Sequence, residues 1–440
     1  MKRQRIFLKK IVEKKTIKLW TLSNDKKEFD RNKTLIDGTL QSVLDNKKIS
    51  KALIDNSVRK FSSNKRVYIL SDHCDSRKPY SKMLENLGKV RDLNGNIING
   101  FTTLGSVILD ENKRELTLSN ISVQSNQEPT FITKKELQEY EDGKIKNPIR
   151  VEEIAKLIEQ ESYHTMSTLL HKHLKQQSTA FKKENPDISI VHVHDRGCDS
   201  VEYLEFIQET LGDDAVVRAK KSRNSEQTKI NPKTNRKVKV KLIDSEFANN
   251  KVYLIENLTL KGKHYQQVKC HIAWDTITLN EKEYSTVRIS LITRDGKPIY
   301  KDPMLLISTL KITSYLQAKE IYHIYLSRSR IEGVFKFLKD VLGWEAYQVR
   351  DWESIKNIIS ICYFIGGYFY EIQSTLIEDK TVQMICALAK NKGIVSRRFF
   401  LEGLQVLLTA WHLENFKIQN SISDEMFREM QAYAGIGSGI

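Results

Sequence analysis

The pattern of apolar and polar positions changes period several times along the chain, and each change predicts an element. KRVYILSD (Lys65–Asp72) has the β-branched and aromatic content of a buried strand. GFTTLGSVIL (Gly100–Leu109) and RELTLSNISV (Arg114–Val123) predict two more, set off by the turn-rich stretches DLNGNIING and DENK. Three consecutive strands on short connections predict an antiparallel meander. Over residues 147–177 the period becomes helical, with Pro148 near its start. ISIVHVHD (Ile188–Asp195) is again a buried-type strand and, like the first, ends in an acid. A helix over SVEYLEFIQETLG and a strand over DAVVRAKK complete the order β β β α β α β.

From Ser222 to Arg294 the pattern is rich in strands and polar turns, which predicts a β insertion before the chain returns through PMLLIST. Helical periods dominate the remainder. In YLSRSRIEGVFKFLK (Tyr325–Lys339), read as one helix at about 100° per residue, Tyr325, Arg328, Glu332 and Lys339 fall within a sector of about 60°. Ile324, Ile331, Val334, Phe335 and Leu338 occupy the adjoining sector, so the helix packs on a core with the polar stripe facing out beside it. Upstream, SVLDNKKISKALIDNSVRKF (Ser42–Phe61) predicts amphipathic helical turns. The apolar run IISICYFIGGYFY (Ile358–Tyr370) falls short of the roughly 20 residues a spanning helix needs and predicts a buried helix. The expected organisation is a basic N-terminal region (1–66), a core in two parts (67–221 and 295–352) around the insertion (222–294), and a C-terminal helical region (353–440).

Charge adds a partner. The net charge is +16. Residues 1–66 hold 19 Lys and Arg against 7 Asp and Glu, an excess of +12, and residues 216–241 hold ten basic residues and one acidic. Two separated basic blocks suggest a polyanion, because each Lys or Arg set on a phosphate releases counterions. Nucleic acid is favoured over a membrane. The five cysteines, odd in number and without a CxxC pair, fit a reduced compartment. His171 with His173, and His192 with His194, lack a matching second ligand pair and are not read as zinc ligands. No secretory signal pattern follows the basic N-terminus, so a cytoplasmic, nucleoid-associated location is expected.

The order β β β α β α β, with an acid on the first strand and another ending the fourth, resembles a ribonuclease-H-like α/β core. In such a sheet those two strands are neighbours, which would bring Asp72 to Asp195. Two such carboxylates and a third on a helix suit a pair of hard divalent cations, Mg2+ or Mn2+, which prefer oxygen ligands. Glu332 is the third candidate. Here the resemblance narrows. The stripe satisfies Tyr-x2-Arg-x3-Glu-x6-Lys, the signature of a subgroup of the DDE transposases of bacterial insertion sequences, and VHVHDRGCDS and ILSDHCDSRKPYS resemble that group's second and first motifs. VVRAKKSRN and LGWEAYQVRDWESIKN resemble its flanking stretches. Ser329 stands where members often carry Trp, and Gly197 where they often carry an acid. The resemblance implies that Asp72, Asp195 and Glu332 bind two metal ions and that Tyr325, Arg328 and Lys339 contact DNA. It further implies cut-and-paste transposition on element ends and target DNA by a homodimer. Asp75 competes with Asp72 but reads as a turn residue, and Asp199 reads as a helix cap. A nuclease without strand transfer, or an inactive DNA-binding relic, remains an alternative.

Overall fold

The computed structural model describes residues 2–39, 44–92, 94–160, 162–230, 236–260, 262–375, 378–389 and 395–433. The start of the predicted helix at Ser42 and residues 231–235 of the second basic block lie outside the described residues. Three helices open the chain, α1 (Lys2–Lys14), α2 (Lys26–Lys33) and α3 (Asn46–Phe61). Asp25 and Asp45 cap α2 and α3 by accepting the backbone N–H groups of Glu28 and Lys48. This polar region is anchored by its few apolar residues. Phe7, Ile11, Ile17, Leu19, Leu22, Leu35 and Ile36 are buried in the main core.

Next come β1 (Arg66–Arg77), β2 (Gly88–Arg91), β3 (Ile97–Leu109) and β4 (Leu116–Gln124), then α4 (Lys134–Glu141), α5 (Pro148–Glu159), α6 (Met166–Glu184), β5 (Ser189–His194), α7 (Val201–Glu205) and β6 (Asp214–Arg218). The helical period over 147–177 is divided in two. Pro148 takes the first position of α5 behind the Asn147 cap, and Thr165 opens α6 with a capping box. β1 is antiparallel to β3 and parallel to β5, β3 is antiparallel to β4, and β5 is parallel to β6. The resulting strand order is β4-β3-β1-β5-β6.

β7 (Asn224–Ile230) and β8 (Lys237–Lys241) form a separate hairpin inside the second basic block, within the expected β-rich insertion but in a part of it to which no individual strand was assigned. β9 (Asn249–Leu260), β10 (Lys263–Leu279), β11 (Lys282–Thr293) and β12 (Met304–Ser308) then extend the main sheet beyond β6 in the order β6-β12-β11-β10-β9. The chain finishes through α8 (Tyr315–Leu326), α9 (Ser329–Asp340), α10 (Trp352–Thr375), α11 (Lys380–Ala389), α12 (Arg397–Gln419) and α13 (Asp424–Tyr433). No described helix is long and apolar enough to cross a membrane. The run 358–370 lies within α10, with Ile358, Ile361, Tyr363 and Phe369 buried.

Strand alternation assigns the two faces of the sheet. Tyr68, Leu70 and Cys74 of β1, with Val191 and Val193 of β5, share a core with Ile324, Ile331, Val334, Phe335 and Leu338 of α8 and α9. Val67 and Ile69, with Ile190, face Phe181 of α6 on the other side. The face under α9 is the one that carries the candidate acids.

Candidate active site

Asp72 continues the β1 series 68, 70, 72 and 74, and Asp195 continues the β5 series 191, 193 and 195. Both therefore belong to the α9 side. The parallel register pairs Leu70 with Val193. Two residues beyond that last pair, Asp72 lies close enough to Asp195 to feel its charge although 123 positions separate them in the chain. β1 does not end at Asp72 as its pattern suggests. It runs on to Arg77, with Asp72 opposite Gly105 of β3. Asp195 lies just past the end of β5 and accepts the Gly197 amide at 2.8 Å, capping a short 3-10 turn.

Glu332 comes from the first turn of α9. The stretch predicted as one helix is two, because Ser327 and Arg328 form a tight joint between α8 and α9. The amides of Arg328 and Ile331 bond carbonyls three residues back, and Ser327 Oγ donates to Ile324 O at 2.6 Å. Arg328 therefore turns toward the sheet instead of lining an outer stripe. Its Nη1 donates to Asp72 Oδ2 at 2.6 Å and its Nη2 pairs with Glu332 Oε1, so one guanidinium joins the strand acid to the helix acid.

The electrostatics follow from burial. Removal from water raises the Asp72 carboxyl, the Arg328 guanidinium opposes this, and the neighbouring Asp195 charge adds to it, with the balance at about 6. Burial alone would lower Arg328, but Asp72, Tyr325 and Glu332 hold it above its ordinary value. Among the described residues, no three His, Cys, Asp or Glu side chains converge as metal ligands would. A guanidinium stands between two of the three acids.

Tyr325 is buried in the main core, 6% exposed, at the end of α8. Lys339, on the last turn of α9, donates to the Asp75 carbonyl at 2.6 Å and pairs with Glu345 at 3.2 Å. Of the stripe, only Glu332 presents more than half of its side chain to solvent. Asp75 is not a turn residue. It lies in β1 opposite Thr102, whose hydroxyl it accepts at 3.1 Å. Nor is Asp199 the cap of α7, since Ser200 accepts the Tyr203 amide. Asp199 is buried, pairs with Arg223 and accepts the Lys220 amide at 2.6 Å, which ties the loop after β6 to the strand end bearing Asp195.

Sequence reasoning missed the role of Glu345, which also pairs with Arg77 at 3.5 Å while its carbonyl accepts Lys78 Nζ at 2.6 Å. The signal was the stretch LGWEAYQVRDWESIKN, in which no residue was singled out. Of the paired histidines, His173, His192 and His194 are buried and His171 is half-buried. His173 lies between the hydroxyls of Ser106 and Ser122, and His192 bonds Asp213 at 2.8 Å.

No curated protein matches this chain. Residues 190–365 match the family model of the transposase DDE domain, a span that contains Asp195, Tyr325, Arg328, Glu332 and Lys339 and begins beyond Asp72.

Proposed function

We propose that this chain is a transposase of the insertion-sequence type, which binds element ends and carries out DNA strand cleavage and strand transfer. The observation that carries the reading is the match of residues 190–365 to the transposase DDE domain, supported by Arg328 joining Asp72 of β1 to Glu332 of α9 and by the Asp195 charge acting on Asp72. The strand order β4-β3-β1-β5-β6 supports a ribonuclease-H-like core, with 222–294 as its insertion and 353–440 as a helical C-terminal region.

By donor chemistry the set suits Mg2+ or Mn2+, although the three carboxylates do not converge while Arg328 stands between Asp72 and Glu332. The three candidates are oxygen donors, two of them already share one cationic group, and the third neighbours the first. When bound, a pair of such ions would supply charge stabilisation at the attacking and leaving oxygens of a phosphodiester. The chain's own part is positional. β1 carries Asp72, the loop just past β5 carries Asp195, α9 brings Glu332 to Arg328, and Lys339 is steadied by Glu345 and the Asp75 carbonyl. Arg328 supplies a planar donor pair that suits a phosphate. Double-stranded DNA is the partner, held by the basic blocks, with a homodimer as the working assembly and the cytoplasm as its location.

Asp72→Asn, Asp195→Asn and Glu332→Gln should each abolish cleavage of an element-end substrate in Mg2+ while leaving DNA binding largely intact. Gel assays of binding and product formation read both quantities. Strand-joined products from the parent chain support transposition; cleavage without joining would leave a nuclease, and binding alone a relic. Cleavage retained by any of the three variants removes that residue from the ligand set.

A further inference from the structure

Arg328 sits where a cation is wanted. Its guanidinium reaches Asp72 Oδ2 and Glu332 Oε1 together, its side chain is only 15% exposed, and the tight joint between α8 and α9 directs it there. The remaining candidate ligand, Asp195, is engaged by the Gly197 amide. While these contacts hold, one oxygen of Asp72 and one of Glu332 are committed to the protein's own cation.

We propose that Arg328 is a displaceable plug, which holds Asp72 and Glu332 until a DNA strand arrives and then leaves them for a backbone phosphate, so that metal loading is linked to DNA binding. This rests on the reading of Asp72, Asp195 and Glu332 as metal ligands. A guanidinium and a divalent ion compete for the same carboxylate oxygens, and a phosphate offers the same bidentate geometry to the departing guanidinium. The linkage is reciprocal: DNA that draws Arg328 away strengthens metal binding by the factor by which metal strengthens DNA binding. The device keeps the free chain poorly loaded with metal and confines hydrolytic competence to the DNA complex. It also accounts for the signature arginine lying between the signature acid Glu332 and the strand acid Asp72. The charge that neutralises them at rest is the charge that receives the phosphate in action.

The test is Mn2+ binding to the full chain without DNA, read from the free-ion signal in electron paramagnetic resonance. Arg328→Met should bind Mn2+ more tightly than the parent by about 5- to 150-fold, the usual span of a coupling between two ligands. That gain should vanish in Arg328→Met combined with Glu332→Gln. Arg328→Lys keeps the charge but cannot span both acids in the same plane, and should fall between the two. Near-ultraviolet circular dichroism checks that each variant is folded. A second measurement needs no variant: in crystals of the parent soaked with Mn2+, density between Asp72 and Glu332 should appear only where Arg328 has left Asp72. Equal Mn2+ affinity for the parent and Arg328→Met, with Glu332→Gln weaker than both, overturns the plug and leaves the ligands standing. So does metal between the acids with the guanidinium still on both. Mn2+ binding insensitive to Asp72→Asn, Asp195→Asn and Glu332→Gln overturns the ligand reading, and the plug with it.

Discussion

Asp72 carries a carboxyl whose surroundings work against its ionisation. Burial lifts it, Arg328 lowers it, Asp195 lifts it again, and the result is about 6 against an unfolded value near 3.9. Between about pH 4 and pH 6 the folded chain holds the proton more often than the unfolded chain does, so stability falls as pH rises through that window and the full penalty applies above it. Asparagine resembles the protonated acid and escapes this cost. In metal-free buffer at pH 7.5, Asp72→Asn should therefore be more stable than the parent, by on the order of 3 kcal/mol at most. The difference should fade below about pH 4. Denaturant melts at both pH values measure it, and a parent as stable as the variant at pH 7.5 would show that Arg328 fully compensates the burial. A gain in stability with loss of cleavage is the expected mark of a site strained for function.

Gly105 connects the site to the packing of whole elements. It lies opposite Asp72 in the β1–β3 ladder, and a Cβ there would come to 3.1 Å from the Phe335 ring of α9 and 3.2 Å from the Tyr363 ring of α10. Gly105→Ala should push α9 outward by a few tenths of an ångström, with an overpacking cost of about 1–3 kcal/mol. Because α9 carries Glu332, cleavage should drop by more than stability alone explains, approaching the ~100-fold that an ångström of misplacement can cost. Melting temperature and single-turnover cleavage on one preparation separate the two effects, and unchanged values for both would mean that the neighbouring rings yield freely. The same elements explain what the sequence disclosed. Runs rich in apolar residues identified β1, β3, β4, β5 and β6, because strands buried on both faces draw mainly on apolar residues even where a few buried polar ones, such as Ser106 and Asn120, interrupt them. β7 and β8 stayed hidden since β7 is polar up to its last residue, Ile230, and the alternation of exposed Lys with half-buried Val in β8 spans only five residues inside a charge-rich stretch. The joint at Ser327 and Arg328 has no Gly or Pro to announce it, so the helical period ran straight through it. Asp75 and Asp199 were misread because their settings depend on Thr102, Lys220 and Arg223, partners far from them in sequence.

At the scale of the molecule, the two basic blocks differ in what their charges already hold. In the N-terminal block Lys10 pairs with Glu28 at 2.5 Å, Lys9 lies over the Trp411 ring, and Lys15 is 3.9 Å from Glu402. The hairpin differs. Lys229, Lys237, Lys239 and Lys241 are exposed, and none of the ion pairs among the described residues includes them. Lys237, Lys239 and Lys241 alternate along β8 and so present one face, with neighbours about 7 Å apart. The hairpin base is joined to the Asp195 strand end, since Leu242 donates to the Arg223 carbonyl and Arg223 pairs with Asp199. A two-stranded ribbon also fits the major groove of a duplex. Neutralising Lys229, Lys237, Lys239 and Lys241 to Gln should therefore lower the slope of log affinity against log salt, by up to about 0.9 for each phosphate no longer neutralised. The matching change at Lys9, Lys10, Lys14 and Lys15 should lower it less, because three of those four already have partners within the chain. Titration of a fluorescent duplex at several salt concentrations gives both slopes, and a larger drop for the N-terminal set would move the principal DNA-binding surface away from the hairpin.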